Sequence, residues 1–216
     1  MKSVFRFGAL LLLATLDCSA VWAQTAPPAQ PDQAVVDQLT DLAMQAAPFD
    51  KVFQQVLKED ARWPLNDVKS DAVTPERLQC MRDQFSDTGY RAVKQQEVID
   101  FMNRYPGEVD DSVRLLKGGA AEIFGAYMQQ GIDEGMGQKD ESKQVSIDQF
   151  TPEQVSAFLD LTSNSKYSHL RELLGLGGAP MLNTNLEPNA DGVELTVSRL
   201  MLRAMNECKI PLSVLK

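Results

Sequence analysis

The sequence predicts an all-α protein: one domain, a bundle of about six to eight helices, tied by one disulfide. Three observations carry this. Apolar residues recur with a period near 3.6 along most of the chain, and no stretch keeps the period of two that a half-buried strand needs. Helix starts are marked by a hydroxyl side chain followed by proline and an acid. Two cysteines remain once a predicted export signal is set aside. Of 216 residues, 44% are hydrophobic, enough for a folded core, and the net charge of −9 argues against a general binder of nucleic-acid backbones.

The chain opens like an exported protein. Lys2 and Arg6 form a positive region, Gly8 to Leu16 (GALLLLATL) a short apolar run, and Val21-Trp22-Ala23 a small-residue cleavage site before Gln24. Residues 1–23 therefore read as a signal peptide whose apolar run is too short for a membrane anchor. Leu16-Asp17-Cys18 resembles a lipid-attachment site, but the acid before Cys18 fits that motif poorly. Cleavage would remove two basic side chains (Lys2, Arg6) and one acidic (Asp17), taking the net charge from −9 to −10. The expected location is periplasmic, with no transmembrane segment. In an oxidising compartment, Cys80 and Cys208 are expected to pair.

Residues 24–31 (QTAPPAQP) read as a flexible proline-rich lead, and 32–216 as the helical domain. Val35, Leu39, Leu42 and Ala46 mark a first helix. Phe49, Val52, Phe53, Val56 and Leu57 mark a second, with Asp50 as its expected cap. After a loop at 64–73, Thr74-Pro75-Glu76 starts a helix with Leu78, Met81 and Phe85 inward, beside Cys80. Gly89 is expected to bend or interrupt it. Tyr90, Val93, Glu97 and Phe101 share a face until Pro106-Gly107. Val109 to Met128 continues, with Gly118-Gly119 permitting a kink or close packing.

Residues 131–149 (GIDEGMGQKDESKQVSIDQ) lose the period and read as the longest loop, the first place to look for recognition. Thr151-Pro152-Glu153-Gln154 is a capping box opening a helix through Val155, Phe158 and Leu159. A short helix from Ser165 ends at Gly175, and 179–191 is a second loop. Val193, Val197, Leu200, Ala204 and Cys208 then form one stripe, which would tie the last helix to the Cys80 helix.

No G-x-S-x-G, H-E-x-x-H, phosphate-loop or dinucleotide glycine pattern is present, so no catalytic, cofactor or metal site is expected. His169, the single histidine, lies in Lys166-Tyr167-Ser168-His169-Leu170-Arg171-Glu172, which reads as an ordinary solvated helix surface. Glu187, Asn189, Asp191 and Gly192 match the start of a calcium loop, but Ser198 stands where the bidentate glutamate belongs, and a helix cap explains the segment.

At 148–174 (DQFTPEQVSAFLDLTSNSKYSHLRELL) the chain resembles the exported bacterial DUF2059 family. Phe150, Thr151 and Glu153 match its helix start and Phe158 and Leu159 its inner face, while the proline and glycine of its turn are missing. That resemblance implies a periplasmic helical protein and carries over no catalytic residue.

The functional expectation is a non-enzymatic periplasmic binding protein, most specifically an immunity-type inhibitor that sequesters a basic envelope-acting toxin or hydrolase. Acidity would speed capture of such a partner. The candidate contacts are Asp133, Glu134, Met136, Asp140 and Glu141 in the first loop, and Met181, Leu182 and Leu186 in the second. Two alternatives stand beside it. One is a lipid or small-molecule carrier lined by the Met and Phe stripes. The other is an envelope hydrolase using carboxylates such as Asp133 and Glu134.

Overall fold

The computed structural model describes residues 31–66, 68, 70–137, 144–181 and 190–215, with side chains in the last helix from Val197 onward. The predicted signal peptide with Cys18, most of the proline-rich lead, Asp140, Glu141, Leu182, Leu186 and the calcium-like Glu187 and Asn189 lie outside them. The protein is all-helical and carries the Cys80–Cys208 disulfide. In order come α1 (Gln33–Ala46), α2 (Phe49–Glu59), α3 (Pro75–Gln84), α4 (Asp87–Arg104), α5 (Val109–Leu115), α6 (Ala121–Gly135), α7 (Pro152–Ser163), α8 (Ser168–Leu173) and α9 (Ala190–Glu207). Among the described residues, no helix is long and apolar enough to cross a membrane.

Local chemistry explains most of the starts. Asp32 accepts from Ala34 N–H before α1, Thr74 from Arg77 N–H before α3, and Ser86 from Gly89 N–H before α4. Thr151 and Gln154 form the full capping box of α7. Two details differ from expectation. Asp50 is not the cap of α2: the helix already begins at Phe49 after Pro48, and Asp50 sits in its first turn near the positive dipole end. The break before α4 falls at Phe85-Ser86, where the serine hydroxyl recaps the chain, so Gly89 is a first-turn residue rather than the interruption.

Two apolar clusters fill the interior. The first is largely aliphatic and is built by α1, the second half of α4, α5 to α8 and Leu176; Leu39, Leu116, Ile123, Leu161, Leu170 and Leu174 are among its fully buried members. A π-helical turn, Leu116–Ala120, joins α5 to α6. Gly119 there has φ 117°, and a Cβ on it would stand 2.4 Å from Gln154 Cγ and 2.8 Å from Gln154 Cα. Thus Gly118-Gly119 acts as expected, letting α7 lie directly on the turn. At Gly125, α6 comes so close to α1 that a Cβ would meet the Gln45 carbonyl oxygen at 2.1 Å.

The second cluster is aromatic and surrounds the disulfide. Phe53 packs edge-on against Phe85 at 5.1 Å and Tyr90 at 5.5 Å between ring centres, and Trp63 against Phe85 at 4.8 Å. Leu200, Ala204, Met205 and Cys208 bring the inner face of α9 onto it. Cys208 bonds Cys80 of α3 across 5.7 Å between Cα atoms. Met81 and Met205 are fully buried, Met102 nearly so, and Met128 and Met201 pack half-buried against the clusters.

The predicted loop at 131–149 needs correction. Residues 131–135 continue α6, and Ile147–Gln149 make a 3-10 turn. Gly131 and Gly135 hide the helical period in the sequence, but the side chains support the helix. Gln129 Nε2 donates to Asp133 Oδ1 at 2.7 Å and Gln130 Nε2 to Glu134 Oε1 at 2.9 Å, both four residues on. Val145 N–H donates back to Gln130 Oε1 at 2.8 Å, tying the returning chain to α6.

Candidate functional site

Among the described residues, two of the grooves that gather charge draw it from three helices each, and neither is visible as a motif. The first lies where α1, α2 and α6 meet. It is about 530 Å³, with Met44, Pro48 and Ala126 as apolar lining and Asp41, Asp50 and Glu122 as its acids. Pro48 separates α1 from α2 and turns the chain so that Asp50 faces the same space as Asp41, while the close approach at Gly125 brings in Glu122 and Gln129 from α6. Lys51 is the basic residue of the lining. Arg91 reaches Asp41 at 2.6 Å, and Gln154 Nε2 donates to Glu122 Oε2 at 2.7 Å.

Burial pushes the Asp50 carboxyl above its ordinary value, and the negative charge of Asp87 adds to the shift. A carboxylate held that way gains most from an incoming cation. Gln129 Oε1 is buried behind the lining with no hydrogen-bond partner among the described residues.

The second groove, about 250 Å³, lies between α4, α8 and α9. Here the sequence reading of 166–172 as an ordinary surface misses two features: it is incomplete at His169, which is partly exposed but held in place, and wrong at Arg171. His169 stacks on Tyr105 with ring centres 3.8 Å apart and planes 9° from parallel, and its Nδ1 is 3.0 Å from Glu108 Oε1. Arg171 is wholly buried. Its Nη1 donates to the Leu161 and Asn164 carbonyls and its Nη2 to that of Gly178, each at 2.8 Å. It thereby satisfies the free carbonyls at the end of α7, while its Nε has no partner among the described residues. Burial lowers the Arg171 pKa from its ordinary value. Lys94 is buried too, donating to Glu97 Oε2 at 2.6 Å and to the Leu173 carbonyl at 3.0 Å.

The predicted contact residues fall elsewhere. Asp133 is half-buried and Glu134 exposed on the last turns of α6, Asp133 one turn beyond the Gln129 of the first groove, with Met136 half-buried just after it. Met181 is not the exposed apolar contact the sequence suggested: it packs, half-buried, against the aliphatic cluster. A single apolar residue in a loop is indistinguishable in sequence from one that folds back onto the core. Asp41, Asp50 and Glu122 escaped sequence reading because nothing local links them. Among the described residues, no three His, Cys, Asp or Glu side chains converge as metal ligands.

No protein-family profile matches this chain, and no curated protein or solved structure matches it. The likeness of 148–174 to the DUF2059 family therefore rests on those residues alone.

Proposed function

We propose that the chain is an exported, periplasmic protein that binds rather than catalyses: an immunity-type inhibitor holding a basic toxin or hydrolase of the cell envelope. One observation carries the reading. In a chain of net charge −9, Asp41, Asp50 and Glu122 surround an apolar lining in a single open groove. Carboxylates beside Met44, Pro48 and Ala126 suit a lysine or arginine side chain, whose aliphatic stem lies on the apolar part while its head meets the acids. Long-range attraction would act mainly on the rate of capture, and the buried part of the contact on its lifetime. Asp133 and Glu134, on the last turns of the same helix, add to the acidic charge nearby.

The test is affinity capture with the tagged chain, expressed together with its neighbouring genes, at low and high salt. The expected result is one basic protein in stoichiometric amount, retained more weakly as salt rises and lost with Asp41→Asn/Glu122→Gln. Capture of that protein undiminished by the double substitution would refute the groove as the contact. An empty bait at both salt concentrations would refute the inhibitor reading itself.

A further inference from the structure

The groove between α4, α8 and α9 presents opposite charges that do not cancel one another. Glu97 in its lining is engaged by Lys94, and Asp100 accepts from Gln96 Nε2 at 3.0 Å. Arg104, Glu172 and Arg199 also line it, and none has an ion-pair partner among the described residues. Phe101 and Leu173, both buried, supply apolar lining.

The imidazole of His169 stands in this groove fixed twice over, by its stack on Tyr105 and by Glu108 at Nδ1. Nδ1 faces Glu108, which leaves Nε2 as the nitrogen of the ring that is not engaged there.

An anion alone would meet Glu172 and Asp100 there, and a cation alone would meet two guanidinium groups. An uncharged ligand would cover these charges and pair none of them. A ligand with both charges satisfies the set. We propose that this groove binds a free zwitterionic dipeptide by both of its ends. The carboxylate pairs with Arg104 and Arg199, the ammonium with Glu172 and His169 Nε2, and the body lies against Phe101 and Leu173. The groove, about 250 Å³, is on the scale of such a ligand. The site is separate from the acidic groove and does not depend on the inhibitor reading.

Because His169 is the only histidine, its labelled ring reports on this groove as a single NMR signal. Glycyl-leucine is the probe, titrated into the full chain beside N-acetylglycyl-leucine and glycyl-leucinamide. The expected result is a saturable shift with glycyl-leucine and affinity at least about tenfold weaker for each blocked form. Glu172→Gln should weaken glycyl-leucine while leaving the N-acetylated form unchanged, and Arg104→Ala should do the same for the amide. Both side chains are exposed, so neither change removes core packing, and the blocked ligands test the idea on the unaltered chain in any case. No shift with glycyl-leucine, or equal affinity for either blocked form, would overturn the proposal.

Discussion

The two apolar clusters solve the same problem with different means. Each has a helix that ends inside the protein with unpaired carbonyl groups, and each meets them with an arginine. In the aromatic cluster, Arg82 of α3 reaches the end of α2, donating to Leu57 O at 2.5 Å, Asp60 O at 2.7 Å and Trp63 O at 3.2 Å. In the aliphatic cluster, Arg171 of α8 does so for α7. Arg82 remains half-buried, whereas Arg171 has no exposed surface. The two regions are also closed differently. On the aliphatic side, backbones approach closely at Gly119 and Gly125. On the aromatic side the closing is done by a loop, 60–73, and by a covalent bond between α3 and the end of α9. A buried guanidinium costs several kcal/mol unless its donors are satisfied, so the tightly closed side relies more on its arginine.

The largest effect should come from the bond that only one side possesses. Replacing Cys80 and Cys208 together by alanine opens a closure between residues 128 apart, worth about 5 kcal/mol on the chain-entropy view. Urea unfolding should show the loss, and aromatic fluorescence should report the Trp63 region melting ahead of far-UV helicity. Simultaneous melting would mean that the two clusters form one cooperative unit.

The arginines come next. Arg171→Ala removes the donor from one buried and two part-buried carbonyl groups and should cost about 3–5 kcal/mol; Arg82→Ala, at a half-buried side chain, should cost about 1–2 kcal/mol. Equal losses would break the contrast between sealed and loosely covered ends. Gly119→Ala should cost about 3 kcal/mol, because its Cβ meets the Gln154 backbone and its φ is that of a left-handed residue. A crystal structure of that variant should show α7 displaced from the π turn.

A smaller and stabilising change is expected at the end of α9. Lys209 holds φ 54° while its N–H donates to Asn206 O and that of Ile210 to Met205 O, the position that Gly175 fills after α8. Lys209→Gly should raise stability by about 1 kcal/mol at most, read as a shift of the urea midpoint.

The smallest effect concerns Asp50, and only its sign is predicted. Its carboxyl pKa is raised in the folded protein, so the native state takes up a proton at higher pH than the unfolded chain. Its contribution to stability therefore grows as pH falls through the native value and levels off below the unfolded value of about 3.9. Asp50→Asn should stabilise the fold at neutral pH, lose that advantage in acid, and weaken capture of a basic partner. Unfolding midpoints at neutral and acid pH check the first two; binding checks the third.

What the sequence determined by itself lies within a few residues of its cause. The Thr74-Pro75 and Thr151–Gln154 starts are legible because a cap and the amide it serves are three residues apart. The helical stripes are legible because burial repeats every turn, and the Cys80–Cys208 bond because two thiols remain once the predicted export signal is set aside. Even so, a local signal misled where support came from side chains rather than pattern, as at Gly131 in α6. Tertiary structure alone decided the rest. His169 and Glu108 are 61 residues apart, and Asp41, Asp50 and Glu122 share a groove only because α6 crosses α1 at Gly125. Arg171 reads as a surface charge until Leu161, Asn164 and Gly178 turn their carbonyls toward it. Periodicity says which face of a helix is apolar, but not which other helix will meet that face. The charges of both grooves are assembled by that second choice.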